Sequence, residues 1–390
     1  MGLAGRPAPA AGGRAPRRGG DGLAELGVRP IINAAGTYTK FGGMLPRPEV
    51  VDAMAAAAGR YARLEEVHGA AGARIAALLE CEAALVTSGA AGALTLATAA
   101  CLTGNDPERI RRLPDLGEPP REVVIQRAHR FLYDHAVRAC GVRLVEVDTR
   151  EELEHAITAR TAMLLFLNKA APDGRISAPE FAAAGRRRGV PTLNDAAADV
   201  PPVDTLFRYT RMGFDLVVCS GGKGLGGPQG AGLLLGRRDL VAAARLNTAP
   251  HSDTLGRGLK VSKEEAVGMV VAVDLYLRRD HDADWRAWEA ALGTVESALE
   301  PLPHVRAERF VPAVAYHVPH LRVRPRGGFL GTMAEVAAEL REGEPAIETV
   351  PTPLDGTLEI ASWTLQPGEP EVVARRLREI LVRRGGGAGR

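Results

Sequence analysis

The sequence has few aromatic residues, 4% of the chain. Alanine, valine and leucine must therefore fill the core. Nor is there an excess of either charge: the net charge is +2 over 390 residues. That balance gives no electrostatic footprint for nucleic acid or for an anionic membrane surface. No apolar run reaches the ~18 residues that cross a bilayer. The four cysteines, Cys81, Cys101, Cys140 and Cys219, are widely spaced and form no paired zinc-ligand pattern. No metal site is expected. The cysteines read as small buried hydrophobes in a reducing cytoplasm, with Cys219 a candidate reactive thiol. Residues 1–22 are rich in Gly, Ala, Pro and Arg but lack the apolar stretch of a signal peptide. They read as a disordered tail, as do residues 385–390, and the expected location is cytoplasmic.

Hydrophobic content of 46% and charged content of 25% suit a globular protein. The length exceeds one ordinary core, so two domains are expected. The boundaries read as an arm with helices over 23–70, a large domain over 71–250, and a linker helix with a small α+β domain over 251–384. From Glu82 to Leu246 short apolar runs alternate with helical stretches. Strands are expected at 83–87, 123–126, 142–147, 162–167, 190–194, 214–218 and 232–235. Helices are expected at 90–100 and 131–139. Capping boxes at Thr149–Glu152, Ser177–Glu180 and Ser262–Glu265 open three more, the last running to about Arg279. Further helices are expected at 284–299 and 371–382. This alternation implies a mostly parallel sheet covered on both faces, with ligands beyond the carboxyl ends of its strands.

Lys223 lies in Ser220-Gly221-Gly222-Lys223-Gly224-Leu225-Gly226-Gly227 between two apolar strands. Its glycine neighbours leave the amine open to something flat. A P-loop requires Ser or Thr after Gly-Lys, and here Gly224 follows. A lysine amine condenses readily with an aldehyde. Asp195, at the end of Pro191-Thr192-Leu193-Asn194-Asp195, supplies a carboxylate near such a lysine, with small Ala196, Ala197 and Ala198 after it. Amine and carboxylate together fit pyridoxal phosphate (PLP): imine formation at Lys223 and a charge partner for the pyridine nitrogen at Asp195. Asp199, past the alanines, reads as an ordinary aspartate.

Ser88, Gly89 and Ala90 form a strand-to-helix turn whose hydroxyl and free N–H groups suit a phosphate dianion. Ser220 could add a second hydroxyl. His129 follows a strand and is a candidate to stack on the ring, with Tyr133 and His135 as rivals. Arg257 suits a substrate carboxylate or phosphate. Asn33 and Thr37 lie in a loop, 31–43, that could cross the site and contact substrate.

The lysine loop, with Pro30-Ile31-Ile32-Asn33-Ala34-Ala35-Gly36-Thr37 and Arg257-Gly258-Leu259-Lys260-Val261-Ser262-Lys263-Glu264-Glu265, resembles the selenocysteine synthase superfamily. That group includes the D-glucosaminate-6-phosphate ammonia-lyase-like enzymes. The likeness runs from about Leu26 to Leu381. It implies PLP fold type I: an α/β large domain with a mostly parallel seven-stranded sheet and a smaller α+β C-terminal domain. It also implies a homodimer or larger assembly with interface active sites, where Thr254 to Arg257 reach the neighbour's phosphate. Only a short tail precedes Leu26, so the tRNA-engaging domain of selenocysteine synthase is not expected, nor is a nucleic-acid partner. Trp363 stands about where many relatives carry a carboxylate-binding arginine. The expected activity is a lyase on a small-molecule amine, a hydroxylated amino acid or amino-sugar acid. Lys223, its pKa lowered by burial and nearby positive charge, would remove the α-proton; ketone and ammonia would leave. Aminotransferase, racemase and carbon–carbon lyase chemistry use the same residues. A non-catalytic subunit and a nucleotide-binding α/β protein are the alternatives from other classes.

Overall fold

The computed structural model describes residues 22–117 and 119–385. The tails expected at 1–22 and 385–390 lie, but for Gly22 and Gly385, outside the described residues. Seven strands form the main sheet: β2 (Ala83–Ser88), β3 (Glu122–Gln126), β4 (Arg143–Val147), β5 (Thr161–Leu167), β6 (Thr192–Asp195), β7 (Leu216–Ser220) and β8 (Ala231–Gly236). Their order is β2-β8-β7-β6-β5-β3-β4. All neighbours are parallel except β8, which runs antiparallel to both β2 and β7.

The strands carry near-continuous apolar runs because both faces are covered. Side chains alternate between faces with period two. Leu164 and Phe166 of β5 join one core cluster with Phe181, Val217 and Val273. Met163 and Leu165 join the other, against the alanine-rich helix Gly89–Thr103. That helix is apolar on nearly every side, as a buried helix must be.

The expected capping boxes form at Thr149, Ser177 and Ser262, and a fourth forms at Thr332 with Glu335. One expected helix differs. Residues 131–139 form a 3₁₀ turn, Leu132–Asp134, and a single α-turn, His135–Arg138. Asp134 accepts from both Arg130 and Arg138, which fixes the tight turn.

The C-terminal layer holds β9 (Val305–Phe310), β10 (His320–Pro325) and β12 (Leu358–Ala361) in an antiparallel sheet ordered β12-β10-β9. A separate parallel pair joins β1 (Ile31–Ala34) to β11 (Ala346–Thr349). The segment read as an arm thus contributes a strand here: Ile32 and Ala34 pack with Leu321, Ile347 and Leu377. Helix Lys263–Leu277 packs on helices Pro48–Ala58 and Leu64–Leu78 beside the main sheet. Among the described residues, no helix is long and apolar enough to cross a membrane.

Candidate active site

Strand register brings the chemistry to one rim. Ser88 ends β2 and pairs with Ala231, while Ser220 ends β7 and pairs with Gly232, so the two hydroxyl residues flank the start of β8. Asp195 ends β6 beside Val218 of β7. Leu167 pairs with Asp195, so Asn168 and Lys169 leave the neighbouring strand at the same edge. These are carboxyl ends of parallel strands, where open α/β sheets place ligands.

The lysine loop is fixed by its own backbone. Gly221 N donates to Ala231 O, Gly226 N to Lys223 O and Gly227 N to Gly221 O, each at 2.9 Å. A Cβ on Gly224 would stand 2.1 Å from the Val200 carbonyl oxygen, so only glycine lets the loop close on that segment.

Burial holds the Lys223 amine below its ordinary pKa; the largest opposing influence is the Asp195 carboxylate. The positive neighbour expected to help lower it is absent from these influences, since Asp195, Tyr133 and Asp199 all act the other way. Asp195 is 5% exposed. Its carboxyl is pushed up to about 6 by burial, against a bond from Ala197 N and the charge of Lys223. No hydrogen bond joins Lys223 to Asp195 among the described residues. Two buried groups that feel each other's charge without bonding suit a polar, flat molecule between them.

Asp195 has a pH consequence. Its native pKa lies above its unfolded value, so the folded chain holds an extra proton between about pH 4 and 6. That contribution is present below the unfolded pKa and is lost as pH rises through about 6. In cofactor-free protein, Asp195→Asn is therefore expected to gain on wild type by about 2 kcal/mol between pH 4 and 7.5. Urea unfolding at the two pH values measures this.

Asp199 is not an ordinary surface aspartate. It is buried, accepts from Asn168 Nδ2 at 2.8 Å and Tyr209 OH at 2.7 Å, and acts on Lys223. Cys219 is buried and its thiol is pushed far above the ordinary range by burial, which removes it as a reactive thiol.

The Ser88 hydroxyl makes no bond to the helix it precedes. The hydroxyl and the first-turn N–H groups of Gly89 and Ala90 are thus available to an anion. Thr254 Oγ1 is buried without a partner, while Arg257 is exposed. Gly256 and Leu259, on either side of it, pack against Leu96 and Gly92 of the Gly89–Thr103 helix. Asn33 is occupied within its own turn: Nδ2 donates to Gly36 O and Oδ1 accepts from Ala35 N. Thr37 is buried, its hydroxyl unpaired.

The stacking expected of His129 needs correction. His129 is wholly buried, packs edge-on against Phe166 at 4.4 Å, and accepts from Leu167 N at Nδ1. Its Nε2 faces Gln126. Enclosed on these sides, it offers no open ring face. Tyr133, 62% exposed, instead acts electrostatically on both Lys223 and Tyr316.

Sequence reading missed Tyr316. The Lys223 Nζ lies 5.3 Å from its ring centroid. Ala315 and Tyr316 both have positive φ, at 55° and 48°, a costly conformation for residues with side chains. Tyr316 N donates to Ala198 O, which ties this strained turn to the segment after Asp195. A single tyrosine in an irregular stretch gives no periodic or motif signal. Lys169 was missed for the same reason; its Nζ lies 5.6 Å from the same ring.

The site meets the demands of PLP on its own residues: a depressed buried amine, a buried carboxylate within electrostatic reach, and an uncommitted hydroxyl at a helix N-terminus. Comparison with known proteins agrees. A family model described as "SelA: L-seryl-tRNA selenium transferase" matches residues 31–300. A 5'-C-glycyluridine monooxygenase-decarboxylase from Streptomyces sp is 33% identical over 93% of this chain and 92% of its own. D-glucosaminate-6-phosphate ammonia lyase of Salmonella typhimurium is 31% identical over 91% of this chain and 96% of its own. The solved structure of a D-glucosaminate-6-phosphate ammonia-lyase superposes with a TM-score of 0.82 at 29% identity, covering 94% of this chain and 99% of that one. With that fold and this rim of residues, the chain belongs to the SelA, or L-seryl-tRNA selenium transferase, family and is a PLP-dependent enzyme of fold type I.

Proposed function

We propose that the protein is a PLP-dependent lyase acting on a hydroxylated amino acid or amino-sugar acid. The observation that carries this reading is the pairing of a buried, depressed Lys223 amine with a buried Asp195 carboxylate on one sheet rim. Held at this rim, PLP would supply an electron sink for the pair left at the α-carbon of a substrate amine. Lys223, whose charged form burial disfavours, takes the α-proton. Asp195 stabilises positive charge at the pyridine nitrogen. Ser88, Gly89 and Ala90, with Ser220, hold the phosphate dianion. Tyr133, which acts electrostatically on Lys223, would be the residue to cover a ring face in place of His129. Thr254 and Arg257 complete the anion site in an assembly of two or more copies. Nearly full exposure of Tyr61 and Leu132 supports such an assembly.

Loss of a β-hydroxyl as water, followed by hydrolysis, returns that water and yields ketone and ammonia. The 31% likeness to an ammonia lyase favours this outcome. A second reading, carbon–carbon cleavage at the substrate carboxylate, is favoured by the 33% likeness to a monooxygenase-decarboxylase. Hydroxylated amino acids and amino-sugar acids supplied to the PLP-loaded enzyme are expected to release ammonia and ketone in equal amounts without carbon dioxide. Carbon dioxide as the main product would support the second reading and overturn the first.

A further inference from the structure

A cavity of about 150 Å³ lies between the C-terminal layer and the rim, lined by Gly36, Tyr38, Lys169, Tyr316, Glu359 and Trp363 among others. Trp363 is 5% exposed, and its Nε1 has no hydrogen-bond partner. An unpaired buried indole N–H costs free energy unless something supplies an acceptor. The indole N–H abuts the Gly36 backbone: a Cβ on Gly36 would stand 2.9 Å from Trp363 Nε1. Gly36 has φ +100° and no side chain, which lets the two segments meet at the cavity wall.

Lys169 lines the same cavity and forms no ion pair among the described residues. The carboxylate in the lining, Glu359, is already bonded by Arg322 at 2.6 Å and by Leu354 N. Lys169 and Lys223 both approach the ring of Tyr316, and the rings of Trp363 and Tyr316 meet edge to face at 6.3 Å. The cavity lining therefore holds a cation without an ion pair and a buried donor without a partner, beside the ring that Lys223 approaches. An anionic oxygen pair on a short carbon frame matches both.

We infer that Lys169 and the Trp363 indole N–H hold the carboxylate of the substrate whose amine is handled at Lys223. The inference rests on the cofactor reading above. It gives Trp363 a positive role: the indole N–H and a lysine from the strand end after β5 together take the anion.

The test measures binding, not turnover. The full chain is titrated calorimetrically with the phosphopyridoxyl conjugates of glycine and of methylamine, which differ only in the carboxylate. The glycine conjugate is expected to bind at least about tenfold more tightly, as a charge-assisted contact predicts. Lys169→Met should abolish that preference while leaving the methylamine conjugate unchanged, and Lys169→Arg should retain most of it. Trp363→Phe should reduce the preference in part. Lys169 is exposed, so its variants keep the test independent of any folding defect at the buried Trp363. A preference that survives Lys169→Met, or no preference in the wild type, overturns the inference alone. Failure of both conjugates to bind would overturn the cofactor reading with it.

Discussion

Lys223→Ala is expected to lower turnover by about 10³-fold or more while leaving the fold intact. On the proposed reading the amine both attaches the cofactor and moves the α-proton. General acid–base catalysis alone contributes about 10²- to 10⁴-fold. Stability should hold or rise, because the substitution removes a charge that burial already disfavours. A thermal melt alongside the assay separates the two effects. A variant with near wild-type turnover would place the chemistry on another residue.

Asp195→Ala is expected to cost about 10²- to 10⁴-fold in turnover, with a much smaller loss of cofactor affinity. On the proposed reading the carboxylate would partner the ring nitrogen, whereas Ser88, Gly89 and Ala90 would hold the phosphate. Ser88 ends β2, Gly89 and Ala90 open the helix after it, and Asp195 ends β6, with β8 and β7 between the two strands in the sheet. Removing the charge should therefore slow proton abstraction and leave the anion site in place. Titration of PLP into the variant, with single-turnover measurement of α-proton exchange, tests this split. Equal losses in affinity and in proton exchange, or an undiminished rate, would contradict the assigned role.

Much of this architecture was legible in the chain. Uninterrupted apolar runs such as Ala162 to Leu167 marked strands covered on both faces, and three capping boxes fixed helix starts. Those signals are local, so sequence carries them. The rim positions of Lys223 and Asp195 were legible because each lies at or shortly past the end of an expected strand.

What the sequence did not disclose depends on distant contacts. His129 looked free at a strand end, but Phe166, Gln126 and Leu167 enclose it. Tyr316 reaches Lys223 only because a strained turn is tied to Ala198, far away in the chain. The strand at Ile31–Ala34 finds its partner at Ala346–Thr349, a pairing no local pattern announces. Asp199 passed as ordinary because its partners, Asn168 and Tyr209, come from two other elements.

The chain contains five lysines, Lys40, Lys169, Lys223, Lys260 and Lys263, so chemical labelling can assign the reactive amine without ambiguity. The deciding measurement is borohydride reduction of the PLP-loaded protein followed by peptide mapping. The account predicts a single phosphopyridoxyl group, on Lys223. A label on Lys169 or any other lysine, or a colourless protein that takes up none, would contradict it.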